Sequence, residues 1–297
     1  MNKIDIVLND YNQKKNSFFK HLSFLDPYSK SKVYVTKSGL ICHKVSTNTE
    51  ISLDLWEKKI FSKKIETTKR LYSANNPVML GRHYYAANFI NEFVKKKDIL
   101  CDFGTGEGTF INEIIRVNPK VKICFTEHSK KNYRKVYQKI SKKNFFIKSF
   151  NSSIESANFK NEINLATLNW TLCNCIDPLN VLKNIHKSLK KNGKLLISES
   201  SRVLVPFKKP INNFFNKNLK TENSHPWFFS YNSLSNILEV SGFRIIKKNR
   251  FFDENDLVVV AEKQNMKYFK PKIKFDNLKK TEKFFKDWCF FTKKYNF

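Results

Sequence analysis

Hydrophobic and polar positions follow two rhythms along this chain, and the change comes near residue 99. Before it the pattern is fragmentary. Residues 1–25 read as a polar leader followed by a short helix. Val33–Val35, the turn Lys37-Ser38-Gly39 and Leu40–Val45 then read as a β-hairpin, with Gly39 supplying the positive φ such a turn favours. A helical stretch at Leu53–Lys64 turns Trp56 and Phe61 inward, and Ser73-Ala74-Asn75-Asn76-Pro77 reads as a linker. From Val78 to Val94 the apolar spacing is helical again.

Beyond residue 99 short apolar runs alternate with helical stretches. Ile99–Phe103, Lys122–Thr126, Phe145–Phe150, Ile163–Leu168 and Lys194–Ser198 read as strands. Thr109–Val117, Lys130–Ile140 and Leu179–Leu189 supply helices between them. That alternation predicts a mostly parallel sheet with right-handed crossovers. A helix at Ser233–Val240 ends at Gly242, and strands Phe243–Lys247 and Leu257–Ala261 follow. The link between those two strands is too short for a helical crossover, so they should pair antiparallel. In the basic, aromatic tail Lys263–Phe297, the residues Leu278, Phe285, Trp288 and Phe291 share one helical face. A terminal helix docking on the domain is the simpler reading of that face; a membrane-surface or partner helix is the sharper one.

Composition refines this picture. A core is affordable at 41% hydrophobic and 14% aromatic residues, and no apolar stretch approaches bilayer length. The N-terminus carries acids early and lacks the apolar region of a secretory signal, so the chain reads as cytosolic. Six cysteines (42, 101, 124, 173, 175 and 289) include no CxxC pair, and no metal site is expected. The net charge of +29 comes from lysines spread along the whole chain. Such a spread reads first as a solvated surface, with a field that draws anions.

The chemistry concentrates in one loop. Only seven glycines occur, and three of them alternate in Asp102-Phe103-Gly104-Thr105-Gly106-Glu107-Gly108, where an apolar strand meets a helix. Glycine there permits a tight turn and close approach of a ligand to backbone. A dinucleotide fingerprint would need its third glycine at position 109, which is Thr109. The D-x-G-x-G-x-G spacing with its leading acid suits a ligand that carries positive charge.

This segment resembles the class I S-adenosylmethionine-dependent methyltransferases. The resemblance implies a Rossmann-like, α/β, seven-stranded and mostly parallel sheet with an antiparallel final hairpin. It runs from about Gly81 to Lys263, flanked by a small N-terminal α+β attachment and a C-terminal helical tail. The implied units are residues 1–77, 78–263 and 264–297. The implied cofactor is S-adenosyl-L-methionine, its methionine end held by Asp102, Gly104, Thr105, Gly106 and Gly108. Glu127, 19 residues after Gly108, matches the acid that grips both ribose hydroxyls. Ser152 and Ile154 stand where adenine is contacted, in a stretch lacking the family's usual Asp. Asn169 and Trp170 begin the segment that faces the transferred methyl. Lys191-Asn192-Gly193-Lys194 and Ser241-Gly242-Phe243 match the family's turns around its later strands.

The acceptor is read from the flanks. Asn169-Trp170-Thr171-Leu172 has no Pro-Pro-aromatic motif, which sets the chain apart from base-amino methyltransferases; Cys173 and Cys175 read as buried thiols. The hairpin at Gly39, Trp56 and the run through Arg82-His83-Tyr84-Tyr85 resemble the N-terminal part of bacterial sugar-modifying methyltransferases, without their zinc-binding cysteines. Ser224-His225-Pro226-Trp227-Phe228-Phe229-Ser230 resembles the acceptor-closing segment of nucleotide-sugar C-methyltransferases. A small-molecule acceptor, anionic or sugar-based, follows from that resemblance. An imidazole titrates near neutrality, which makes His225 the candidate general base. His83 and Tyr84 read as lid packing, and Tyr72 and Arg82 as contacts to a carboxylate or an anionic acceptor. The competing expectations are an RNA or protein methyltransferase with a polyanion-gripping surface, and a non-catalytic donor-binding protein.

Overall fold

A computed structural model describes residues 2–11, 19–29, 32–43, 77–200, 211, 215, 226–250 and 256–295. The chain opens with helix α1 (Lys3–Tyr11), where a polar leader was expected. Ile4, Val7, Leu8 and Tyr11 recur at helical intervals and pack into the main core, which is why these residues coil. Asp10, buried on this helix, accepts the N–H of Ser38 at 2.9 Å and so ties α1 to the hairpin turn.

Strand β1 (Lys20–His21), a 3-10 turn at Ser23–Tyr28, β2 (Val33–Val35) and β3 (Ile41–His43) follow. The expected hairpin is present, with Val33 opposite His43 and Val35 opposite Ile41. Gly39 holds φ +88°, and a Cβ there would come within 2.7 Å of Asp276 Cβ. The expected helix at 53–64 and the linker at 73–76 lie outside the described residues.

Helix α2 (Pro77–Asn91) leads into β4 (Ile99–Phe103), α3 (Thr109–Val117), β5 (Lys122–Thr126), α4 (Lys130–Ile140), β6 (Phe146–Phe150) and β7 (Ile163–Asn169). Then come α5 (Pro178–Ser188), β8 (Leu189–Ser200), β9 (Trp227–Phe228), α6 (Tyr231–Val240), β10 (Phe243–Lys248), β11 (Asp256–Lys263) and α7 (Leu278–Lys294). The large sheet has the order β10-β11-β8-β7-β4-β5-β6. Strands β4 to β8 run parallel, and β11 and β10 join antiparallel.

Both faces of this sheet are buried, and the period of two shows how. Leu100, Ile123, Leu165, Leu196 and Val258 enter one apolar cluster. Their neighbours Cys101, Cys124, Ala166, Ile197 and Val259 enter the other. Strand β8 begins earlier than its sequence pattern suggested. It pairs Leu189 with Ile163, then Lys194 with Leu165, so the expected turn at 191–194 is a bulge inside the strand. Gly242 ends α6 with φ +85°, as a helix terminator should.

The small sheet, in order β1-β2-β3-β9, joins chain segments far apart in sequence. Trp227 pairs with Cys42, and Phe228 with Ile41. Helix α7 packs here, with Phe285 and Trp288 buried among Leu22, Leu25, Val33, Val35, Ile41 and Phe228. Its inward face runs Phe285, Trp288, Cys289, Thr292, so Phe291, expected inward, stands 37% exposed. The helix uses its apolar stripe for docking. Among the described residues no helix is long and apolar enough to cross a membrane.

Candidate functional site

Order reverses in the parallel run at β4, whose neighbours are β5 on one side and β7 on the other. The carboxyl ends of strands at such a switch point leave a crevice. The glycine loop lies there. Gly104, Gly106 and Gly108 take φ of +74°, +56° and +78°. A Cβ on Gly104 would sit 2.7 Å from Thr171 Cγ2, and one on Gly108 would sit 3.0 Å from Val136 Cγ2. Gly106 differs, because a Cβ there meets nothing within 4 Å. Two glycines let the loop press against protein, and the middle one opens outward.

Glu127, just past β5, is buried beside this opening. Its Oε2 accepts the N–H of Gly106 at 2.7 Å and its Oε1 the N–H of Ser129 at 2.8 Å. Asn151, past β6, donates to the carbonyl of Glu127 at 2.8 Å and fixes its backbone. Sequence reasoning gave Asn151 no role.

Asp102 does different work from the one its sequence position suggested. It is 1% exposed and accepts from Thr167 Oγ1 at 2.6 Å and Asn169 Nδ2 at 3.2 Å. Burial pushes its carboxyl above the usual range, while hydrogen bonds from Thr167 and Asn169 pull the other way. It therefore latches β4 to β7 behind the loop. The latch orients Asn169, whose Oδ1 remains buried without a protein partner. Ser152 Oγ donates to the Ser153 carbonyl, and Ile154 is buried in the core.

Trp170 adopts a left-handed φ of +50°, uncommon for a bulky residue. Its indole N–H is buried without a partner. The Arg82 guanidinium lies 5.4 Å above its ring, and the His83 ring meets it edge-on at 5.1 Å. Arg82, read from sequence as a contact for the donor carboxylate or an anionic acceptor, pairs with Asp256 Oδ2 at 2.9 Å. His83 was read as lid packing; it carries a buried Nδ1 with no partner. Burial pushes its pKa down to about 4, helped by the neighbouring Arg82 charge.

Glu199, at the end of β8, was missed. Its Oε1 accepts the N–H of Leu172 at 2.7 Å and of Cys173 at 3.2 Å, holding the turn that carries Thr171 against Gly104. A single acid ending the run Leu195-Leu196-Ile197-Ser198 was the available signal. The thiols near this turn are bound into it: Cys175 Sγ donates to Thr171 O at 3.3 Å, and burial raises its pKa far above the ordinary value. His225 and Tyr72 lie outside the described residues. Among the described residues no cluster of three metal-binding side chains occurs.

A family model described as a methyltransferase domain matches residues 80–248, more than half of the chain. The chain belongs to this family. The solved structure of mitomycin 7-O-methyltransferase MmcR superposes with a TM-score of 0.54 at 14% identity, covering 70% of this chain and 60% of that one. Another methyltransferase, the Burkholderia thailandensis 1,6-didemethyltoxoflavin-N1-methyltransferase, was solved with that substrate and S-adenosylhomocysteine bound. It gives a TM-score of 0.53 at 11% identity, over 78% of this chain and 99% of that one. These similarities establish the class I methyltransferase fold. A curated relative, tRNA(Met) cytidine acetate ligase of Mycoplasmopsis synoviae (strain 53), is 28% identical over 200 residues, 67% of this chain. The chain spans 59% of that relative's length, and 60% of the mitomycin methyltransferase.

S-adenosylmethionine is the methyl donor of this family and fold. The loop of this chain suits such a group. Gly106 faces empty space, and the orphaned Asn169 Oδ1 is an acceptor suited to a cationic N–H donor.

Proposed function

We propose that this protein is an S-adenosylmethionine-dependent methyltransferase acting on a small molecule of sugar or sugar-nucleotide character. The observation that carries donor binding is the Glu127 carboxylate, seated on the N–H of Gly106 at the one open glycine of the loop. In this reading Gly104, Thr105, Gly106 and Gly108 follow the methionine end, and Glu127 exchanges a backbone N–H for ribose hydroxyls. Ser152 and Ile154 border adenine, Asn169 Oδ1 accepts from the donor amine, and Asp102 positions Asn169 from behind. When bound, the donor supplies an activated methyl on a sulfonium centre. The protein's own task is to hold a nucleophile in line and receive its proton.

Residues 78–263 carry the donor in this proposal, and residues 1–77 bring the acceptor. The tail 264–297 completes the core of the small sheet. A positive field of this size favours acceptors bearing phosphate, as sugar nucleotides do. Calorimetry with S-adenosylmethionine tests the donor reading. Replacing Glu127 by Ala should weaken binding at least about tenfold, since hydrogen bonds to a charged group contribute about 1.5–3 kcal/mol. Unchanged affinity would overturn the ribose assignment.

A second reading, an RNA acceptor, draws on the tRNA-related name of the curated relative and on the charge of +29. It requires binding to unrelated RNA that weakens steeply with salt. Binding indifferent to salt removes it.

A further inference from the structure

Three polar atoms at the end of β7 are buried and unpartnered: His83 Nδ1, Asn169 Oδ1 and Trp170 Nε1. Buried polar groups in native proteins are nearly always hydrogen-bonded, so three orphans in one place call for a ligand. Asn169 belongs to the donor reading above. His83 and Trp170 do not, and their rings touch at 5.1 Å, perpendicular to each other.

The chemistry of the two atoms narrows what they meet. An indole N–H only donates, so Trp170 requires an acceptor atom. A neutral imidazole nitrogen without its proton only accepts, so His83 Nδ1 in that tautomer requires a donor. One group does both, a hydroxyl. The surroundings keep the His83 imidazole neutral, and the tautomer with its proton on Nε2 leaves Nδ1 to accept. Arg82 on the same helix is the charged group acting on it, and that guanidinium pairs with Asp256 of β11 at 2.9 Å. Burial first, and the neighbouring cation second, oppose protonation of the imidazole.

We infer that His83 and Trp170 form the acceptor subsite and that they take a hydroxyl, making the reaction an O-methylation with His83 as the base. This rests on the methyltransferase reading. The hydroxyl oxygen accepts Trp170 Nε1–H and donates to His83 Nδ1. A new oxygen–carbon bond forms as the sulfur–methyl bond breaks, the bond pair stays on sulfur, and the hydroxyl proton passes to His83. The positive charge lost at sulfur reappears on the imidazole, so the buried site keeps its net charge. Trp170 holds the oxygen; its strained φ of +50° aims the indole.

The test uses the full chain with 15N-labelled histidine and tryptophan, saturated with S-adenosylhomocysteine and titrated with phenol. His83→Gln and Trp170→Phe identify the two signals by their loss. Phenol should shift the His83 ring and the Trp170 indole resonances together. Anisole, which accepts but cannot donate, should leave the His83 ring unmoved. In an assay with phenol and a deuterated-methyl donor, His83→Gln should cut the transfer rate at least about a hundredfold with donor affinity unchanged. A His83 resonance indifferent to phenol overturns the inference, as does transfer that survives His83→Gln but not His225→Gln. Protein that ignores S-adenosylhomocysteine yet responds to phenol keeps the hydroxyl subsite and loses the methyl-transfer reading. Protein that ignores both loses both.

Discussion

Glu199 offers a sharp numerical test of how this site is held. Its side chain is wholly buried, and one oxygen receives the N–H groups of Leu172 and Cys173. Burial pushes its pKa from 4.5 up to about 7, against the pull of those hydrogen bonds. The folded protein therefore holds a proton that the unfolded chain has released between about pH 4.5 and about pH 7. Stability must fall as pH rises through that window. The difference of 7 minus 4.5 pKa units corresponds to about 3 kcal/mol lost by neutral pH and above. Glu199→Gln keeps an acceptor for both N–H groups and imitates the protonated acid, so it escapes this loss. Urea unfolding of both proteins at about pH 5 and about pH 8 reads the effect directly. The variant should gain about 3 kcal/mol on the wild type at the higher pH and little at the lower. Histidine titrations occur in both chains and cancel in the difference. A gap between the two proteins that does not change with pH would refute the reasoning.

Acid destabilisation should come from His43 and His83, whose pKa values burial lowers to about 4. Both stay neutral in the fold, so their contribution is present above their unfolded value of 6.5 and is lost as pH falls toward 4. Replacing both by Gln should flatten the acid limb of urea midpoints. Gly104→Ala forces a Cβ to 2.7 Å from Thr171 Cγ2 at φ +74° and should cost about 1–3 kcal/mol in thermal unfolding. Gly106→Ala meets no atom within 4 Å, so its stability cost should be only the strain of φ +56°, about 1–2 kcal/mol, with donor affinity falling in calorimetry as well. Trp288→Ala removes a fully buried ring and should cost about 3–5 kcal/mol, with hydrogen exchange rising first in β2 and β3.

The sheet was legible because most of its strands carry a short apolar run bounded by a helix or a turn; the polar opening of β8, Leu189–Lys194, hid where that strand begins. The Gly104–Gly108 loop was legible for a different reason, the scarcity of glycine elsewhere. What local pattern hid is everything made by distant partners. Asp102 looked like a ligand contact because its latch onto Thr167 and Asn169 spans 65 residues and more. Arg82 looked free to meet an anion because Asp256, its partner, lies on the last strand of the large sheet. Helix α1 was read as a leader because its apolar stripe is short; its burial against the main core appears only in three dimensions. Phe291 was assigned inward by spacing, and Thr292 took that place by accepting the N–H of Ile211 at 3.1 Å.

The small sheet has a consequence for biosynthesis. Its hairpin leaves the ribosome well before its outer partner, Trp227–Phe228, and its covering helix α7. Until Trp227–Phe228 and α7 have been made, β3 carries an unpaired edge and the faces of Leu25, Val33 and Ile41 lie uncovered. A nascent chain stalled or cut before α7 would carry a formed large sheet beside an adhesive hairpin. Removing α7 should therefore cost this protein its solubility well before it costs the large sheet its order.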